Sequence, residues 1–423
     1  MSISTGSCWV DLIGICTALV AVAYAYFKWS FGYWKRRNVP YLEPKIPFGN
    51  LGDHFNKKMS DSECFEKMYS EAKSKGTKYC GIYIMQQPHL LILDLELSKQ
   101  ILAKDFIHFT DRGMYTNEKD DPLSAHLFSL GGSKWKNLRT KLTPTFTSGK
   151  MKQMFQTLVD TGVILENFFQ ENVSSDEAVD IKDVLGRFST DVIGSCAFGI
   201  ECNSFKEPDS SFRIYGKKVF EETALEAIKG HFCNNFGALA RLLGIKMIST
   251  DVSNFFTKMV EDVVSYREKN NVIRKDFMQL LIDLKNKNND DKSGEHLTMN
   301  ELMAQSFVFF VAGFESSSTT MTFALFELAT HSNIQEKVRK EIKSVLAKHD
   351  NKMTYDSLNE LKYMKQVIDG ERFGIMQAKV GLTSILKNFR VKVHQKTELP
   401  LKFDPKFFIP STLGTMWLTF EKI

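Results

Sequence analysis

Ser306-Phe-Val-Phe-Phe-Val-Ala-Gly-Phe-Glu-Ser-Ser-Ser-Thr-Thr320 decides the fold. Up to Phe314 it is apolar on every side, and at Glu315 it turns abruptly polar, with five hydroxyl residues from Ser316 to Thr320. Upstream, Thr298 followed three residues later by Glu301 forms a capping box, a start signal for a helix. Nothing before Thr330 breaks that helix except Gly313, so it can run about 48 Å. A second bilayer span is excluded by the acid and hydroxyls that follow so short an apolar run. A helix that is greasy all round belongs in the middle of a large domain. Helical period dominates most of the chain beyond residue 95. Strand patterns are confined to Tyr79–Leu95, which reads as two short strands around a turn at Gln87-Pro88, and to the tail after Val391, which reads as a closing hairpin. The fold class is therefore mainly α with small β regions (α+β).

At 423 residues and 43% hydrophobic the chain can bury a large core. Its net charge of +5 is small and spread out, and no concentrated basic segment or zinc-finger spacing points to nucleic acid. The 34 Phe residues suit an interior that holds something apolar, and equally a Phe-rich core. The seven cysteines (8, 16, 64, 80, 196, 202 and 233) have no metal-ligand spacing. They point to a reducing, cytosol-facing compartment, and no metal-ligating residue is assigned.

From Trp9 to Phe27 the chain is almost wholly apolar, and Lys28, Lys35, Arg36 and Arg37 follow. The length is close to the ~20 residues that cross a bilayer. Basic residues after the apolar run rather than before it argue for an anchor, not a cleaved leader, with the N-terminus lumenal and the body cytosolic. Pro40, Pro44 and Pro47 then resist helix and read as a stiff hinge. Asn172-Val-Ser174 is a glycosylation sequon that stays unused if the body is cytosolic.

Ala312-Gly-Phe-Glu-Ser316 resembles the oxygen-activation motif of the cytochromes P-450, the haem-thiolate monooxygenases, with serine in the threonine position. A hydroxyl bonding back one helical turn opens the local ladder, and the neighbouring acid can relay protons. The small Gly313 would leave room for dioxygen. The same hydroxyls could merely satisfy helix carbonyls. Trp135-x-x-x-Arg139, four apart on one helix face, and the following Leu142-Thr-Pro-Thr-Phe-Thr-Ser148 also resemble the family. The resemblance implies that Trp135 and Arg139 contact a haem propionate, with Arg112 a further candidate. It covers nearly the whole chain and is closest in style to insect microsomal detoxification members.

One segment of that family pattern is missing. Asp369 is followed directly by Gly370, and Gly370–Leu382 resembles the helix that runs away from the iron-binding cysteine. Neither that cysteine nor any other occurs after Cys233. The Glu-x-x-Arg helix pair and the Phe-x-x-Gly-x-x-x-Cys-x-Gly loop both fall in the gap. Glu336-x-x-Arg339 and Cys196 are decoys by position, the first in a preceding helix and the second in what resembles a core helix. Leu361–Phe389 can run as one helix across the join, and loss of the covering segments is expected to leave apolar surface exposed.

The fold expected by resemblance is thus an incomplete cytochrome P-450 fold. Residues 1–34 form the anchor, 35–50 the hinge, 51–369 the core, and 370–423 the last helix and hairpin. The resemblance implies haem, the endoplasmic reticulum membrane, NADPH-cytochrome P-450 reductase and a small lipophilic substrate. Lys134, Lys136, Lys141 and Lys379 would offer the acidic reductase a basic surface. Three readings stay open: an oxidising enzyme whose text omits a segment, a non-catalytic membrane-anchored binding or regulatory protein, and a non-functional product.

Overall fold

A computed structural model of the chain describes residues 8–220, 223–287, 296–368, 372–405, 407 and 409–423. Contacts divide the chain into two units, Met1–Phe109 with Phe403–Pro410, and Thr110–Lys402 with Ser411–Ile423.

In the first unit, α1 (Cys8–Phe31) is the expected apolar helix, with Trp9, Leu19 and Val20 exposed. Its last turn is held by the hairpin of β1 (Tyr79–Ile84) and β2 (Gln87–Ile92): the Tyr83 hydroxyl donates to the Phe31 carbonyl at 2.7 Å. The Trp34 indole N–H donates to the Ile82 carbonyl at 3.1 Å. Gly81 has no alternative here, because a Cβ would lie 2.5 Å from the Trp34 ring. The turn falls at Met85-Gln86, just before the expected Gln87-Pro88, and Pro88 pairs with Tyr83 inside β2. The proline segment is strapped to β1 and is no free spacer: Gly81 N–H donates to the Pro40 carbonyl at 2.7 Å and Leu42 N–H to the Gly81 carbonyl at 2.9 Å.

The second unit is built around one long helix. Before it come α2 (Gly132–Leu142), α3 (Ser148–Asn172), α4 (Ile181–Ile193), α5 (Ala224–Asn235), α6 (Gly237–Leu242) and α7 (Thr250–Asn270). The central α8 (Met299–Thr330) starts at the expected capping box, with Glu301 N–H donating to Thr298 Oγ1 at 3.2 Å and Thr298 N–H to the Glu301 carboxylate at 2.8 Å. It buries Phe307, Phe310, Phe314, Met321 and Leu325, and α4 packs along it. After α9 (Ser332–Ala347) come α10 (Lys362–Val367) and α11 (Arg372–Leu386).

The single helix expected over Leu361–Phe389 does not form. The Glu341 carboxylate accepts the N–H groups of Tyr363 and Met364 at 2.7 and 2.8 Å and fixes the start of α10. Ile368, buried and extended (φ −118°, ψ 133°), ends it. The join at Asp369-Gly370 lies outside the described residues. Packing places α11: a Cβ on its Gly381 would lie 2.5 Å from Met321 Sδ of α8, and one on Gly162 of α3 would lie 2.6 Å from Val380. Local helix pattern yields to such contacts. Met376 through Leu386 are buried on all sides, so the expected apolar exposure does not fall on this helix.

The closing hairpin forms as read, β4 (Phe389–Val393) antiparallel to β5 (Trp417–Lys422), and two-residue β3 (Val179–Asp180) adds to the other edge of β5. Buried Gln335 of α9 ties this sheet to α8, donating to the Leu328 and Val391 carbonyls at 2.9 Å and accepting from Val391 N–H at 2.8 Å.

Candidate functional site

The second unit carries a half-open cavity of about 760 Å³. One stripe of α8 (Phe309, Ala312, Gly313, Ser316, Thr320) forms a wall, the spacing of a single helix face. Opposite elements contribute Arg139 from α2, Thr143 and Phe146 from the short 3-10 turn that follows it, and Phe373 and Gly374 from the first turn of α11. Ile193 closes α4, and the π turn Gly194–Phe198 that continues it brings in Cys196. Phe309 stacks on Phe146 at 5.1 Å between centroids and meets Phe277 at 3.7 Å, which gives the cavity an aromatic side.

The Ser316 hydroxyl donates to the Ala312 carbonyl, and Thr320 does the same to Ser316 at 2.9 Å. This is the back-bonding expected of the motif, and it is also how any helix hydroxyl in an apolar setting satisfies itself. Gly313 has a second cause besides free space: a Cβ there would lie 2.6 Å from Ile193 Cδ1. Glu315 does not line the cavity. It is 13% exposed and lies 3.5 Å from Lys182 Nζ on the first turn of α4.

Trp135 is buried and Arg139 exposed, with the guanidinium 5.3 Å from the ring centre. Of the two, only Arg139 reaches the cavity. Arg112 lies elsewhere, donating to the Phe128 carbonyl at 3.2 Å with its guanidinium over the Phe128 ring. The structure therefore gathers Ala312, Gly313, Ser316 and Arg139 on one cavity and leaves Glu315, Trp135 and Arg112 off its wall. Glu336 and Arg339 are also off it: Glu336 takes Arg390 at 3.0 Å and Arg339 at 3.1 Å, and Arg339 reaches the Leu386 carbonyl. The Arg390 hydrogen bond holds the Glu336 carboxyl below the usual range.

Cys196 is a different outcome. Its sequence context marked it as a core thiol, and it is 1% exposed, yet it sits on the cavity wall. Burial pushes its thiol up to about 12. Phe373 and Gly374 occupy the opposite end, where no cysteine follows or precedes them in α11. One face of the cavity thus carries the helix and arginine that suit a haem, while the loop cysteine that the resemblance implies as axial ligand has no counterpart in the sequence.

Lys379, expected on a docking surface, is 5% exposed and donates to the Leu358 carbonyl. Lys134 is exposed and paired with Glu118, Lys136 is exposed, and Lys141 donates to the His296 carbonyl.

A family model described as Cytochrome P450 matches residues 42–369 and stops at the join. Cytochrome P450 6a8 of Drosophila melanogaster is 34% identical over 503 aligned positions, covering 97% of this chain and 99% of that protein. Because this chain has 423 residues, at least 80 of those positions face no residue here. Cytochrome P450 6a9 of the same species is 45% identical over 359 positions (84% of this chain, 71% of that protein). Cytochrome P450 6A1 of Musca domestica is 43% identical over 400 positions (94% and 76%).

Proposed function

The chain belongs to the cytochrome P450 family, and from that premise we propose that it carries the family's scaffold on the endoplasmic reticulum membrane without the family's oxidative chemistry. Its parent activity is NADPH-driven monooxygenation of small lipophilic or xenobiotic compounds, with electrons from a separate reductase. Bound haem supplies the activation of dioxygen in such enzymes. Here Arg139 and the Ala312–Ser316 wall remain to orient an apolar molecule, and the axial cysteine is absent. One observation carries this reading: the family match ends at Asp369, and no cysteine follows Cys233.

The anchor (1–34), hinge (35–50), core (51–369) and terminal piece (370–423) are read as parts of one monooxygenase body joined after an in-frame excision. Intact α11 and β5 beyond the join support excision over decay, which would scatter damage. The N-terminus is lumenal and the body cytosolic, so Asn172, exposed at the end of α3, stays unglycosylated.

The test is the reduced, carbon monoxide-bound difference spectrum of membranes that contain the chain by immunoblot. No thiolate-type Soret band is expected. Its appearance would mean that a cysteine reaches iron and would end this reading.

A further inference from the structure

We propose that the outer edge of β2 pairs two copies of this chain in one membrane, as an antiparallel strand contact centred on Leu91. The contact lies wholly in the first unit and stands apart from the haem-free reading, because no residue of the cavity takes part.

Hydrogen bonding distinguishes the two edges of the β1–β2 hairpin. Leu93 N–H donates to the Lys78 carbonyl at 2.9 Å, and from that pair the register runs through Tyr79↔Ile92, Cys80↔Leu91, Gly81↔Leu90 and Ile82↔His89. Antiparallel pairs alternate between those that exchange bonds and those that direct them outward. Leu90 and Ile92 therefore turn their N–H and carbonyl groups to the outer edge. On β1 the outward groups of Gly81 and Tyr83 are taken. Gly81 is bonded to Pro40 and Leu42, while Tyr83 N–H donates to Asn50 Oδ1 and its carbonyl accepts from Asn50 N–H, both at 2.7 Å. Leu90 and Ile92 have no such partner among the described residues, and Leu90 is 44% exposed.

An edge of this kind is a template for another strand and is commonly blunted by charge, especially lysine. From Gln87 to Ile92 there is no charged residue. A two-fold axis at Leu91 sets Leu90 of one copy opposite Ile92 of the other, where each N–H meets a carbonyl and every outward group of the two residues is satisfied. In that register Asp94 falls opposite Pro88 of the second copy, so no like charges oppose, and Pro88, with no N–H to offer, stands at the margin. The axis is normal to the sheet and preserves its faces. Both anchors then leave the same side: one face carries the end of α1, with Phe31 5.1 Å from the Tyr83 ring and Trp34 against Gly81, while Cys80, Ile82 and Leu91 pack together on the other. A strand pair this short is small beside the roughly 1,200–2,000 Å² of a stable interface in solution. Two copies held in one bilayer by α1 meet at a far higher effective concentration, which places the pair in the membrane.

The test uses full-length chains with two different tags in vesicles of uncharged lipid, with Cys8 and Cys16 of the anchor replaced by serine. Leu90→Cys on one copy and Ile92→Cys on the other would stand about 5.5 Å apart between Cα atoms, within disulfide reach. Two copies of Leu90→Cys would lie diagonally about 7–8 Å apart. On mild oxidation the mixed pair should cross-link well above the matched pair. Energy transfer between donor- and acceptor-labelled copies, unsubstituted in β2, should exceed chance encounter at the same surface density. Leu90→Pro removes an outward N–H that β1 does not use, and with it one intermolecular hydrogen bond from each copy, so association should weaken about ten-fold or more. Leu90→Lys, which leaves the backbone intact, should also lower it. Transfer no greater than chance, equal cross-linking of the two pairs, or association unchanged by both substitutions overturns the proposal. The transfer measurement keeps β2 intact, so it stands even if a variant misfolds.

Discussion

Ile193 Cδ1 occupies the space beside Gly313, 2.6 Å from where a Cβ at that position would lie. The glycine in the middle of α8 is therefore set by its packing against the end of α4, whatever else it serves. Gly313→Ala gains about 1 kcal/mol of helix propensity and meets a steric cost of roughly 1–3 kcal/mol from the forced shift of a buried side chain. The net expectation is a loss of about 1 kcal/mol. Combining it with Ile193→Val, which alone costs about 0.5–1.5 kcal/mol, should recover part of that loss. Urea unfolding of the four proteins measures the coupling; strictly additive effects would show that the two side chains do not compete.

Much of this architecture was legible because local signals and packing agree. Thr298 and Glu301 announce the start of α8, and the change from apolar to polar at Glu315 marks where that helix meets Lys182 of α4. The hairpin of β4 and β5 follows from alternation. Other features depend on what a segment packs against. The two residues of β3 are too few for any pattern, and the break after Val367 goes with the place α11 takes against Met321 of α8 and Gly162 of α3. Cys196 reached the cavity because a π turn re-aims the end of α4, a backbone event with no residue signature.

Asp121 gives the fold a pH dependence. Its Oδ2 accepts the N–H groups of Met247 and Ile248 at 2.8 and 3.2 Å, whereas its Oδ1 is buried without a partner among the described residues. Burial raises its pKa, against the opposing pull of the Ile248 and Met247 N–H groups and then of Lys246 and Lys229. The folded state therefore holds the proton more tightly than the unfolded chain. Stability from this group is full below the ordinary carboxylate value of about 3.9 and is lost as pH rises through the raised folded value. Asp121→Asn keeps an acceptor without the charge. The difference in unfolding free energy, variant minus parent, should grow from pH 4 toward pH 7; a constant difference would show that Asp121 titrates normally.

Lys379 should be replaceable with profit. Burial lowers its pKa, with Glu341 opposing, and its ammonium has the Leu358 carbonyl as its hydrogen-bond acceptor. A lowered lysine pKa means the fold disfavours the charged form, so the penalty is present at neutral pH and fades as pH rises through the folded value. Lys379→Met keeps the length of the side chain and should stabilise by about 1 kcal/mol at pH 7, with the advantage shrinking in alkaline buffer. A less stable variant at pH 7 would mean that the hydrogen bond to Leu358 outweighs the buried charge.

A second membrane contact is expected on α5 and α6. Among the described residues they bury only Gly230, Cys233 and Ala240, while Leu225 is 75%, Ile228 66% and Leu242 83% exposed, with Phe236, Leu239 and Leu243 exposed beside them. Water-facing apolar side chains in such a cluster mark an interaction surface. Each leucine withdrawn from water contributes roughly 1.5–3 kcal/mol. A chain lacking residues 1–27, a cut that spares Phe31 and Trp34 on the β1 hairpin, should therefore still sediment with neutral vesicles. Leu242→Glu with Leu243→Glu should lower that partitioning by about ten-fold or more. Release of the shortened chain without these substitutions would assign all membrane binding to α1. Retention of the double variant would place the second contact elsewhere.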